Sequence, residues 1–343
     1  MGKRIVDEVG GNAMNTTKVE QIYELITSTA KIIQEELGGT ELEAIAETGE
    51  NLFQGDVLQD ELSEITVKKL KKGYQEIHLD HFSKEDIRKG WQLAILKAMR
   101  THVQPNHQMT PDAIGFMFAY LLEKFTAKQE ALSVLDPAVG TGNLLFSVMN
   151  VLSGKQLNAT GIEVDDTLVK LAYTGANLLG MPVHFLHQDS LQPLFIDPAD
   201  VVICDLPVGY YPDNERAKEF KVRAKDSESM SYAHHLFIEQ GFTYSKDGGY
   251  LFFLVPNDLF TTSEAPALNQ FIHEHGYIQG LIQLPESMFK SKQSAKSILI
   301  LQKAGDGVKA PKQVLLVNMP KLSDKNATAA MLNKIDNWIK AEK

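Results

Sequence analysis

The chain has 343 residues, 43% hydrophobic and 23% charged, as expected of a globular protein with one large or two ordinary domains. A formal net charge of −10 disfavours non-specific binding to nucleic acid, so any DNA contact requires a local basic patch or a partner. The single cysteine, Cys204, excludes an internal disulfide and a cysteine-based metal cluster. The lack of a signal peptide or a spanning apolar run makes the cytoplasm the expected location, away from membranes.

Residues 1–13 precede a second plausible start, Met14, and read as a tag or upstream sequence. From there the pattern is helical. Val19, Ile22, Ile26, Ala30, Ile33 and Leu37 recur every three or four residues, and Gly38-Gly39 ends the run. Trp91, Ala94, Ile95, Ala98 and Met99 form a later stripe of the same kind. The sequence therefore predicts a helical N-terminal domain over residues 14–104, with nothing catalytic in it. Lys68-Lys69-Leu70-Lys71-Lys72 can touch phosphate, but such a run is more often a solvated helix face.

The second domain is expected over residues 105–343. Thr110-Pro111-Asp112 predicts a helix start: a capping hydroxyl, proline at the first helical position and an acid in the first turn. Ile114, Phe118, Leu121, Leu122 and Phe125 then share one face. Apolar strands alternate with helices beyond it, at 132–135, 159–163, 183–187, 201–204, 250–255, 280–284, 297–302 and 314–317. The runs 143–151, 166–179 and 232–244 have helical spacing. This is an α/β pattern, a mostly parallel doubly wound sheet covered on both faces. About a dozen residues without a clear helix separate the strands near 280 and 297, which predicts antiparallel neighbours.

The turn Asp136-Pro137-Ala138-Val139-Gly140-Thr141-Gly142-Asn143 lies between the first of these strands and a helix, where glycines let backbone N–H groups approach a small molecule. A dinucleotide fingerprint wants a third small residue three positions after the second glycine; here that position is Leu145, which disfavours an NAD-dependent oxidoreductase. Two further acids stand at successive strand ends. Glu163, followed by Val164, can accept bonds from ribose hydroxyls or serve as an ordinary strand-end acid, with Asp165 or Asp166 capping the next helix. Asp189, followed by Ser190, can accept the amine of an adenine ring or close an Asx-type turn. The fourth strand ends in Asp205-Leu206-Pro207-Val208-Gly209-Tyr210-Tyr211. The charged segment from Pro212 to Ser231 suits either a substrate loop or a solvated excursion. His234-His235 and His273/His275 lack metal-ligand spacing with acid partners, so no metal is expected and these histidines read as structural or exposed.

Together these segments resemble the N6-adenine DNA methyltransferases of the type I modification-subunit group, and more closely their small stand-alone bacterial homologues. The Gly140–Gly142 turn resembles the first motif of S-adenosylmethionine (SAM) dependent methyltransferases. Gln108-Met109-Thr110-Pro111 resembles the motif that packs on the methionine part of SAM. Segments 247–257, 281–285 and 296–300 resemble the family's last three strands. The resemblance implies a class I methyltransferase fold with a seven-stranded sheet holding one antiparallel strand. It implies SAM as cofactor, contacted by Thr110, Pro111, Asp136, Pro137, Ala138, Gly140, Thr141, Gly142, Asn143, Glu163, Val164, Asp189, Ser190 and Asp205. It implies DNA as substrate. In the family the fourth strand ends in Asn/Asp-Pro-Pro-aromatic, whose first residue and following backbone bind the target amine while the ring stacks on a flipped base. Asp205 and Pro207 fit that pattern, Leu206 and Val208 depart from it, and Tyr210 or Tyr211 can supply the ring. The expected catalytic set is Asp205, Pro207 and Tyr210. Two alternatives stay open: methylation of RNA, protein or a small molecule, and a SAM-binding module without transferase activity. About 40 residues follow Lys303, too few for a sequence-reading domain of ordinary size. DNA specificity is therefore expected from a specificity subunit, a second copy or the helical domain.

Overall fold

The computed structural model describes residues 17–101, 108–226 and 229–343, which divide into two units, within Met1–His102 and Val103–Lys343. The expected tag segment and the expected 104/105 boundary lie outside the described residues.

Among its described residues the first unit has four α-helices: α1 (Lys18–Leu37), α2 (Glu41–Gln54), α3 (Glu64–Gln75) and α4 (Lys84–Thr101). Reciprocal capping boxes start the first two, Thr17 with Glu20 and Thr40 with Glu43. Gly38 closes α1 at φ +78°, a conformation that favours glycine. Gly90 lets α1 and α4 approach: a Cβ there would lie 2.5 Å from the Ile22 side chain. The lysine run lies on α3 with Leu70 buried and all four lysines exposed, and Lys71 pairs with Asp56 at 2.7 Å. It is a solvated face.

The second unit begins with α5 (Asp112–Phe125), β1 (Ala131–Asp136), α6 (Asn143–Val151), β2 (Gln156–Glu163), α7 (Asp166–Leu179), β3 (Val183–His187) and β4 (Ala199–Asp205). A short α8 (Asn214–Ala217), α9 (Ala233–Thr243), β5 (Ser245–Pro256), α10 (Ala265–His275) and β6 (Gly276–Gln283) follow. The chain ends with β7 (Lys296–Lys303), β8 (Leu315–Asn318) and α11 (Lys325–Glu342). The strands form one sheet in the order β3-β2-β1-β4-β5-β7-β6-β8. All pairings are parallel except those of β7, antiparallel to both β5 and β6.

Adjacent residues of the central strands point into different cores, which is why these strands read as continuous apolar runs. Val201, Ile203, Phe252 and Leu254 join α5, α6 and α11 on one face. Val202, Cys204, Leu251 and Phe253 join α9 and α10 on the other. Phe252 and Phe253 are fully buried, each worth roughly 1.5–3 kcal/mol of transfer free energy.

Among the described residues the sheet has eight strands, matching the eight apolar runs in the sequence and one more than the seven that the family resemblance implied. β8 adds in parallel to β6, with Gly280 opposite Leu315. Leu315 and Val317 turn inward to complete the core beneath α11, while Leu316 is 65% exposed. Thr110 does not cap α5: Pro111 occupies the N-cap position, so the helix starts one residue later than expected. The segment 212–231 is also less solvated than its charge suggests. Ala217, Phe220 and Val222 are core residues, and the Val222 N–H donates to Glu239 at 3.0 Å.

Candidate active site

The strand order reverses between β2-β1 and β4-β5, a switch point whose crevice lies outside the carboxyl ends of the strands. The turn after β1 and the segment after β4 both open there.

At the end of β1, Asp136 is 1% exposed and accepts the Ala138 N–H at 3.2 Å. Burial pushes its carboxyl up to about 8, helped by the nearby charges of Asp205 and Glu163. The turn is tied to the next strand by Val139 N–H to Ile162 O at 2.9 Å. Gly140 (φ +56°) and Gly142 (φ +85°) hold backbone conformations that side chains disfavour. A Cβ on Gly142 would meet the Phe146 ring at 2.4 Å, whereas nothing lies within 4 Å of one on Gly140. The open side of Gly140 gives a ligand room to approach the backbone.

Glu163 gathers three backbone donors: Gly140 N–H on Oε2 at 2.9 Å, and Val164 N–H and Asp165 N–H on Oε1 at 2.9 and 3.0 Å. Asp165 caps α7. Val164 is 64% exposed, an apolar face beside that carboxylate. Asn143 Nδ2 donates to Thr110 O at 2.6 Å and Asp112 Oδ1 at 3.3 Å, binding the 110–112 segment to the turn. Thr141 and Pro137 are buried and Ala138 is half-buried. Ser190 is buried and donates to Pro137 O, so its proton braces the turn. Asp189 closes an Asx turn through Leu191 N–H on Oδ1 at 2.9 Å, and its Oδ2 accepts the Tyr211 hydroxyl at 2.5 Å.

At the end of β4, Asp205 accepts Lys296 Nζ on Oδ1 at 2.6 Å and the Thr110 hydroxyl on Oδ2 at 2.9 Å. The hydroxyl expected to cap a helix therefore links the Gly-turn side of the crevice to the acid of β4. Leu206 is buried, and Pro207 and Val208 are exposed. Tyr210 is 57% exposed and stacks on Tyr232 with centroids 5.0 Å apart. The backbone holds this stack: Tyr211 N–H donates to Ser231 O at 2.8 Å, and Ala233 N–H to Gly209 O at 2.9 Å. Behind Tyr232 lie His234 and His235, at 5.1 and 5.3 Å between centroids. Both histidines are buried, and burial pushes them down to about 3 and about 4. Both are neutral at neutral pH.

Sequence reasoning missed Lys296 and Tyr232. Lys296 opens β7, and an antiparallel strand brings its first residue to the end where parallel strands finish. Strand direction was the signal: Lys296 pairs with Pro256, at the end of β5. Among the described residues, no group of three or more histidine, cysteine or acidic side chains could hold a metal ion. None of the described helices is long and apolar enough to cross a membrane.

This sheet, with a glycine turn at its switch point and acids on the neighbouring strand ends, has the architecture of class I SAM-dependent methyltransferases. The N-6 DNA methylase family model matches residues 104–340, and the chain belongs to that family. A model of the YtxK N-terminal helical domain matches residues 20–99. The uncharacterized protein YtxK of Bacillus subtilis (strain 168) is 48% identical over 331 residues, covering 96% of this chain and 100% of that one. A Listeria monocytogenes structure, provisionally assigned as a class I SAM-dependent methyltransferase, is 51% identical with TM-score 0.88, covering 94% of this chain and 99% of that one. The methyltransferase subunit of a type I restriction-modification system from Streptococcus thermophilus shares the fold at 17% identity, TM-score 0.65, covering 96% of this chain and 74% of that one.

Proposed function

We propose that the crevice binds SAM and that Asp205 receives the amino group of an adenine in DNA. The observation that carries this reading is the pair of bonds on Asp205. Thr110 connects the acceptor acid directly to the segment held against the glycine turn, so cofactor and acceptor meet across one side chain. The residues fit SAM. Gly140 leaves backbone room for it, Glu163 keeps one lone pair on Oε2 for a ribose hydroxyl, and exposed Val164 offers an apolar face to the adenine ring. Asp189 Oδ2 can take the adenine amine as a second donor. Pro137, Ala138, Thr141, Asn143 and Ser190 shape and brace the cradle.

When bound, the cofactor supplies an electrophilic methyl group on a sulfonium, so no covalent protein nucleophile is needed. The protein aligns the acceptor and frees its lone pair. An N–H donated to Asp205, and a second to a backbone carbonyl near Leu206, oppose conjugation of the amine with its ring. The bond to the carboxylate contributes about 1.5–3 kcal/mol and the one to the neutral carbonyl about 0.5–1.5 kcal/mol. Pro207 stiffens the turn. Tyr210, supported by Tyr232, offers a planar face to the base. DNA specificity comes from a partner subunit, a second copy or the helical unit, and the reaction takes place in the cytoplasm.

A second reading keeps the chemistry and changes the acceptor to RNA, protein or a small molecule. The charge of −10 and Val208 in the aromatic position favour it. Labelled SAM offered to unmethylated DNA, RNA and cell extract separates the two. Under the first reading label enters DNA, Asp205→Ala abolishes incorporation, and S-adenosylhomocysteine affinity changes less than about threefold. Undiminished transfer by Asp205→Ala would sink the assignment.

A further inference from the structure

Tyr211 connects two strand ends that a flat list of motifs keeps apart. It belongs to the segment that begins at Asp205, yet its hydroxyl reaches Asp189 beyond β3. The ring is 7% exposed and packs among core residues. Its backbone is fixed by Ser231, and Gln192 Nε2 donates to the phenol oxygen at 3.3 Å. Asp189 is held on both oxygens, by Leu191 N–H and by this hydroxyl. A carboxylate oxygen carries two lone pairs, so Oδ2 can accept one further donor alongside Tyr211.

We propose that Tyr211 is a positioning residue: its O–H aims the Asp189 carboxylate at the exocyclic amine of the cofactor's adenine and couples cofactor binding to the path of the 205–211 segment. The inference rests on the SAM reading above. A carboxylate clamped by two donors loses little rotamer freedom when a third arrives, whereas a free one must be ordered on binding. Without the hydroxyl, Asp189 keeps only its turn bond and its outer oxygen is free to rotate. The same bond is the tether through which an occupied adenine pocket stiffens the acceptor segment.

Tyr211→Phe removes the hydroxyl and keeps the ring. Calorimetry with S-adenosylhomocysteine and its 6-deamino analogue, against wild type and variant, forms a double cycle between hydroxyl and amine. Wild type is expected to prefer the amine-bearing ligand by about tenfold, and the variant to bind that ligand about 3–10-fold more weakly with the preference reduced to about twofold. Equal losses for both ligands, or no loss, overturn the proposal, since a packing role does not distinguish the amine. Wild type that binds both ligands equally overturns it and leaves SAM binding intact. Wild type that binds neither overturns the SAM reading as well. A measurement needing no variant accompanies these: S-adenosylhomocysteine should slow amide hydrogen exchange across residues 206–211 of wild type, and unchanged exchange there contradicts the coupling.

Discussion

Asp205 holds a cation and a hydroxyl where a neutral acceptor amine is expected to dock. Lys296 has a clear electrostatic effect at this point. It offsets the carboxylate and fixes its plane, but it also sets positive charge near the proposed sulfonium position and near the proposed acceptor nitrogen, which would become positive during transfer. Lys296→Met should therefore lower kcat about 10–100-fold through a misplaced Asp205 while leaving SAM affinity unchanged or tighter, with partial recovery in Lys296→Arg. Steady-state kinetics beside calorimetry checks this, and weaker SAM binding at unchanged kcat contradicts it. Asp136 gives a pH signature. Its carboxyl moves from an ordinary 3.8 to about 8 in the folded protein. Between those values the folded state binds more protons than the unfolded state, so stability falls as pH rises through 8. Asp136→Asn removes that slope. Urea midpoints at pH 6 and pH 9 should separate more for wild type than for the variant, and equal separations refute the assignment.

At the scale of elements, the turn between β1 and α6 depends on Gly142, where backbone conformation and the Phe146 ring both exclude a side chain. Gly142→Ala is expected to cost about 1–3 kcal/mol and to lower the melting temperature by several degrees. Unchanged thermal denaturation would show that the turn has another path. The sequence displays such local devices well: the apolar runs of the strands, the glycine turn and the acids after β1 to β4 are all visible in it. What it hides are contacts that depend on strand direction and distance. Thr110 looked like a cap because its neighbours, proline and an acid, are cap neighbours; its partner lies 95 positions away. Lys296 looked like the first residue of a strand, and its role follows only from that strand being antiparallel. The strand at 314–317 is visible in the sequence, but its parallel pairing to β6 depends on the core it completes. In the 212–231 segment, charges mask the three apolar side chains that anchor it to the core.

At the scale of the molecule, the charge of −10 argues that the isolated chain is a weak partner for DNA. Fluorescence anisotropy with an unmethylated duplex at physiological salt should give non-specific affinity only, about 10⁻⁴ M or weaker, and nanomolar binding by the chain alone would locate sequence reading within it. The two units and two matching family models divide the labour between a helical part of unassigned role and a methyltransferase part. The central claim belongs to the second: a cradle at the β1/β4 switch point presents a methyl donor to an amine held by Asp205. The most direct test is incubation of the chain with methyl-labelled SAM and unmethylated genomic DNA, followed by hydrolysis to nucleosides. The account predicts label in N6-methyladenine that disappears with Asp205→Ala. Label absent from DNA, RNA and protein alike, while calorimetry shows SAM bound, would contradict it and leave a cofactor-binding module without transferase activity.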